Sequence, residues 1–328
     1  MNGFERRRFL QKTLAAAAAL SLSSITPSHA AITLETIRGR SPMRKGPVKQ
    51  ALVTWYSQTG MTERIGRLVA KRLEKSGATV FFDDMRSVDG ARMKGMDLIV
   101  VGSPVFYYDT PDYVKRFIQT LPDLTGTPVA AYVTFGGPEG NQHNAACNIL
   151  AALSDKGAVP VGLRSFMNMS TFPLAWSEKK VHHKTWMNRN LPDAHTYEEA
   201  RRYAAHLVNQ VASGTAFVAK RNLTLREMAT WVHPIWWTKK LVSNHGIDQK
   251  VCIGCGLCEE KCPAGAIDIG AFTIDRHVCE LCFGCINNCP VQAVTMNYNG
   301  ERVFGYPEFM KRKKLSIIEP EEVQKTPA

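Results

Sequence analysis

No run of eighteen or more apolar residues occurs in the sequence; the alanine-rich stretch from Thr13 to Ser24 is about a dozen residues long and bounded by charge, too short to span a bilayer. An integral membrane span is therefore not expected. A Walker lysine and a G-x-G-x-x-G run are also missing, which disfavours ATP and a Rossmann dinucleotide. Basic clusters are present, but they lack interleaved stacking aromatics, and no helix-turn-helix or zinc-finger spacing accompanies them, so no nucleic-acid partner is expected. With 328 residues, 45% hydrophobic and 21% charged, the chain can bury more than one core. Its net charge of +12 is moderate and spread out.

At the start, Arg6, Arg7, Arg8 and Lys12 precede an apolar stretch from Leu14 to Leu22 and a small-residue site at Ser28-His29-Ala30, the three-part pattern of an export signal. Arg6-Arg7 followed by Phe9-Leu10 resembles the twin-arginine signal. Residues 1–30 are therefore expected to be a signal peptide cut after Ala30, with the twin-arginine export machinery as a partner and a periplasmic destination. That route carries folded proteins, so it also implies a cofactor inserted before export.

A spacer over 31–49 leads into alternating apolar runs and amphipathic stretches, the pattern of βαβ units and a parallel sheet. Strands are predicted at 50–57, 78–82, 97–103, 128–135 and 158–167, and helices at 61–76, 111–121, 144–156 and 197–212. Together they make one α/β domain over 50–213 with a five-stranded parallel sheet. A basic connector over 214–246 carries Trp231, Trp236 and Trp237, which are expected to pack two domains together. Eight of the nine cysteines then fall within 247–300. Residues 301–328 are charged, with Lys311 to Lys314 among them, and read as an extended or partly disordered tail. Cys147 is expected to be a small buried side chain, and His182-His183 a solvated turn.

Cys252, Cys255, Cys258 and Cys262-Pro263 follow C-x2-C-x2-C-x3-C-P, and Cys279, Cys282, Cys285 and Cys289-Pro290 repeat it 27 residues later. Thiolate ligation of iron explains this spacing better than zinc or disulfides, because three close cysteines wrap one corner of a cluster and the remote fourth completes another. The segment resembles bacterial two-cluster ferredoxins. That resemblance implies a small α+β domain with two [4Fe-4S] clusters, one on Cys252, Cys255, Cys258 and Cys289 and the other on Cys279, Cys282, Cys285 and Cys262.

The first strand runs into Ser57-Gln58-Thr59-Gly60-Met61-Thr62, directly before a helix, where hydroxyls, backbone amides and the helix dipole can satisfy a phosphate without a lysine. Ser103-Pro104-Val105-Phe106-Tyr107 follows the third strand, and Thr134-Phe135-Gly136-Gly137 follows the fourth. Aromatic and glycine residues at both places let a flat ring stack while backbone groups approach its edge. Residues 50–213 thus resemble the flavodoxin family, which implies FMN with its phosphate at Ser57 to Thr62. The loop after the third strand departs from the Gly-rich, Trp-bearing one of short-chain flavodoxins, having Pro104 and Tyr107-Tyr108 instead.

The two halves together resemble flavodoxin-ferredoxin fusion proteins. The expected function is electron transfer between two one-electron clusters and a two-electron flavin, with a redox protein as donor or acceptor because no NAD(P) domain is recognisable. The alternative is a flavin-dependent reductase of a small acceptor, a quinone or nitro compound, with the clusters as inlet; no catalytic acid or base is assignable for it.

Overall fold

The computed structural model describes residues 32–137, 141–230 and 234–324, so the expected signal segment and Trp231 lie outside the described residues. Strand β1 (Thr33–Ile37) comes first, followed by β2 (Gln50–Trp55), α1 (Met61–Lys75), β3 (Thr79–Asp84), β4 (Leu98–Pro104), α2 (Asp112–Thr120), β5 (Pro128–Phe135), α3 (Gln142–Asp155) and β6 (Val159–Met167). Strands β2 to β6 form one parallel sheet in the order β3-β2-β4-β5-β6. This is the flavodoxin-like order expected from the sequence. The central strands carry apolar runs such as Leu98-Ile99-Val100-Val101 because helices cover both faces of the sheet.

Side chains alternate between two cores. Leu52, Ile99, Val101 and Val133 face α2 and α3, whereas Ala51, Val53, Val100 and Tyr132 face α1 and the long helix α5 described below. Chain reversal between β2, β3 and β4 leaves a crevice at their carboxyl ends, the topological switch point where ligands bind in open α/β sheets.

After β6 come a loop, the short helix α4 (His183–Met187) and α5 (Ala194–Ser213), the last capped by the Asp193 carboxylate, which accepts from Thr196 N at 2.9 Å. The connector then forms β7 (Ala219–Asn222), α6 (Leu225–Thr230) and α7 (Pro234–Leu241). Strand β7 pairs antiparallel with β1, so the expected spacer supplies a strand to the expected connector. Trp236 and Trp237 do not pack a joint: they are 48% and 57% exposed and meet each other edge-on.

The cysteine-rich domain contains β8 (Val242–Ile247), α8 (Leu257–Glu260), β9 (Ile267–Asp268), β10 (Thr273–Ile274), α9 (Gly284–Asn288), β11 (Val294–Tyr298) and β12 (Glu301–Arg302), with β8, β11 and β12 in one antiparallel sheet. The expected tail corrects the sequence reading more strongly. It folds into α10 (Tyr306–Lys313), whose Phe309 is fully buried beside Trp176, Phe304 and Met61. Farther on, Glu319 makes a two-toothed ion pair with Arg64 of α1, and Glu322 pairs with Arg201 of α5 at 3.0 Å. A charged composition hid an amphipathic turn and a row of specific partners. Among the described residues no helix is long and apolar enough to cross a membrane.

Since Phe309 seals a core shared by the tail and the start of α1, Phe309→Ala is expected to cost about 3–5 kcal/mol. Denaturant unfolding followed by far-UV circular dichroism checks this; an unmoved midpoint would mean the tail contributes nothing.

Candidate functional site

After β2 the chain turns through Tyr56, Ser57, Gln58 and Thr59 into α1, with Gly60 as N-cap at φ +81°. Glycine takes this left-handed conformation without strain and leaves open space where a Cβ would stand. No side chain caps the helix, so its first amides are free for an anion.

Ser57, Gln58, Thr59, Met61 and Thr62 line a cavity of about 550 Å³ together with Pro104, Val105, Phe106, Tyr107, Thr134, Phe135, Gly136 and Gly137. The Thr62 hydroxyl is 2.8 Å from that of Thr134, which ties the start of α1 to the end of β5. Ser103 is a correction: it is fully buried outside the cavity and its hydroxyl donates to the Pro104 carbonyl at 2.8 Å. Gly60 contributes its turn, not a wall.

Several lining residues escape the sequence reading. Tyr108, Asn141 and Gln142 close one side, and Asn168, Ser170, Thr171 and Phe172, from the loop after β6, close another. The Ser/Thr/Asn cluster at the carboxyl end of a strand was the available signal for that loop. His182, expected only as a solvated turn, also lines the cavity. Gly136 lets the two loops meet, because a Cβ there would overlap the Ser170 backbone. Two buried amide oxygens on lining residues, Gln58 Oε1 and Asn168 Oδ1, have no hydrogen-bond partner, which fits a ligand that brings donors of its own.

The cysteine-rich half supplies a further wall, with Cys282, Asn287 and Tyr298 lining the same cavity, and Thr238 of α7 in the connector lines it too. The eight motif cysteines stand in two sets. Cys262, Cys279, Cys282 and Cys285 border one small void, and Cys252, Cys255, Cys258 and Cys289 border another. Among the described residues no group of three or more His, Cys, Asp or Glu side chains converges on a single ion.

Backbone amides point at the sulfurs in a pattern that repeats with the sequence: Gly254 N to Cys252 Sγ at 3.4 Å and Leu281 N to Cys279 Sγ at 3.4 Å, then Ala266 N to Cys262 Sγ at 3.2 Å and Ala293 N to Cys289 Sγ at 3.1 Å. Such donors suit sulfurs that carry negative charge on iron. Burial, with a smaller contribution from the neighbouring Cys279 and Cys262 thiols, pushes the Cys282 thiol up to about 12, so ionising it at neutral pH needs a cation to share its charge. Cys147 is different. It is fully buried in the sheet domain, and burial likewise pushes its thiol up to about 12, leaving it an inert core residue.

The joint between the halves is dense. Tyr107 OH donates to Leu281 O at 3.1 Å, Phe172 meets Phe283 edge-on with centroids 4.9 Å apart, and Arg116 pairs with Glu280 at 2.6 Å. Tyr107, Tyr108, Leu281 and Phe283 all have positive φ, from 45° to 66°, so the backbone on both sides is strained where the two halves touch.

Residues 52–168 match the flavodoxin domain family, and residues 245–268 match the 4Fe-4S binding domain family. The chain is a flavodoxin-ferredoxin fusion. Similar solved structures include a flavodoxin of Streptococcus pneumoniae TIGR4 (19% identity, 49% of this chain and 99% of that chain, TM-score 0.40). Others are oxidised flavodoxin 2 of Bacillus cereus (19%, 49% and 99%, TM-score 0.39) and the rubredoxin oxygen:oxidoreductase of Desulfovibrio gigas (16%, 52% and 38%, TM-score 0.37). No curated protein matches the chain. The fusion's flavodoxin domain points to FMN, its 4Fe-4S domain to at least one [4Fe-4S] cluster, and the pair to an electron-transfer protein.

Because Gly136 permits the contact that closes the cavity, Gly136→Ala should strain the site by about 1–3 kcal/mol and weaken FMN binding about ten- to hundredfold. Flavin absorbance per chain after desalting reads this, and iron content on the same sample should be unchanged.

Proposed function

We propose that the fusion is an exported electron carrier in which two [4Fe-4S] clusters exchange electrons with one FMN. The observation that carries this reading is that Cys282, a member of one cysteine set, lines the same cavity as Gln58, Thr59 and Thr62 of the phosphate loop. FMN supplies two-electron chemistry and each cluster one-electron chemistry, so two clusters match one flavin in electron count.

In this assignment Cys252, Cys255, Cys258 and Cys289 hold the outer cluster, and Cys262, Cys279, Cys282 and Cys285 hold the inner one. Their grouping around two separate voids supports it, as does the repeated amide pattern. The chain's own residues bind and orient. The uncapped start of α1 with Ser57 and Thr59 receives the phosphate, Phe106, Tyr107 and Phe135 provide apolar walls, and Cys282 of the inner set forms part of the wall facing them. The outer set presents an exposed Cys255 beside Ile253, 63% exposed, and Val251, 42% exposed. A redox protein docks there, since the chain has no NAD(P) fingerprint. The twin-arginine pattern of residues 1–30 supports export to the periplasm with cofactors already in place.

Anaerobically purified protein should contain about eight iron and eight acid-labile sulfide per chain, and one FMN on acid extraction; stoichiometric zinc in place of iron would sink the cluster reading. In Cys258→Ala, FMN should remain bound while its reduction by a protein donor slows, and equal rates would mean the clusters are not the inlet. For export, Arg6→Lys with Arg7→Lys should hold the precursor in the cytoplasm; mature protein still appearing outside would show a different route.

A further inference from the structure

Gln58 leaves the phosphate loop and crosses to the ferredoxin half. Its Nε2 donates to Cys282 Sγ at 3.3 Å and also contacts the Tyr56 hydroxyl. Its backbone carbonyl accepts from Asn288 Nδ2 at 2.9 Å, so the residue is held at both ends. Gly284 makes the approach feasible, because a Cβ there would overlap the Gln58 amide. The side chain is buried, with 7% of the residue exposed.

A sulfur bound to iron shares the cluster's negative charge, and that charge grows by one when the cluster takes up an electron. An N-H donor on the sulfur therefore favours the reduced state and raises the reduction potential. In a poorly solvated joint the effect is weakly screened. The 27-residue repeat brings out the asymmetry. The counterpart of Cys282 in the first motif is Cys255, which is exposed to solvent instead of meeting a buried amide.

Resting on the two-cluster reading above, we propose that Gln58 is a positioning residue that sets the inner cluster's potential through Cys282 Sγ, raising it above the value the same cysteines would give without this donor. The loop that receives the flavin phosphate thus also tunes the cluster that faces the flavin. Motion of that loop changes both sites together.

The test uses the holoprotein and reductive titration followed by electron paramagnetic resonance, with iron and FMN measured on each sample. Gln58→Leu removes the donor, and Gly284→Ala displaces it by crowding while leaving the loop sequence intact. One cluster potential should shift to more negative values in each variant and the other should stay where it is in the wild type. The double variant should shift no further than the larger single shift, because both changes break the same hydrogen bond. Two unmoved potentials with eight iron bound would overturn the assignment, and so would equal shifts of both clusters, which signal general loosening. Four iron in the wild type would instead overturn the two-cluster reading and this assignment with it.

Discussion

The hydrogen bond from Gln58 to Cys282 ties together two units that could each fold around a core of their own. Everything else at the joint supports that one approach. Asn288 holds the Gln58 backbone, Asn287 Nδ2 reaches Thr171 O at 3.4 Å, and Arg116 adds its ion pair with Glu280. Each such bond contributes only about 0.5–1.5 kcal/mol net. Separating the halves would break them together and expose Phe172 and Phe283 as well, so the joint behaves as part of the interior. Two cofactor sites on a Gly/Ser tether would sample many separations; here the chain admits one.

Strain is concentrated at the same place. A non-glycine residue in the left-handed region costs of the order of 1–3 kcal/mol, and Tyr107, Tyr108, Leu281 and Phe283 all adopt it. Surrounding packing keeps these residues there. Tyr107 is set across the boundary by this turn, with its hydroxyl on Leu281 O and its ring edge-on to Phe172. The aromatic wall of the cavity and the loop carrying Cys279 and Cys282 are thus fixed by one set of contacts.

Much of this was legible in the sequence where the physics is local. Buried parallel strands read as apolar runs, so the five sheet strands fall within two residues of their predicted bounds at every end, and the cysteine spacing marked both motifs. What stayed illegible depends on distant partners. Strand β1 exists because β7 pairs with it across some 180 residues. The tail reads as solvated charge until Arg64 and Arg201 stand opposite Glu319 and Glu322. Ser103, expected at the cavity, is fully buried one residue short of it, and Pro104 at the end of β4 is the first residue there to line the wall. Trp236 and Trp237 looked like joint residues by bulk alone, but it is Phe172 and Leu174 of the loop after β6 that pack on the ferredoxin core.

An exact sequence repeat therefore becomes two unlike environments. The amide donors at Cys252 and Cys279, and at Cys262 and Cys289, follow the repeat, since they arise from the local turn each motif makes. Burial follows it only in part. Cys258 and its counterpart Cys285 are both buried, but Cys282 is partly covered where it meets Gln58, while its counterpart Cys255 is exposed. Docking one motif on the sheet domain's cavity covers that side alone. The difference between the two motifs is written in the partner domain's loops, with Gln58 as the point where those loops reach a motif sulfur.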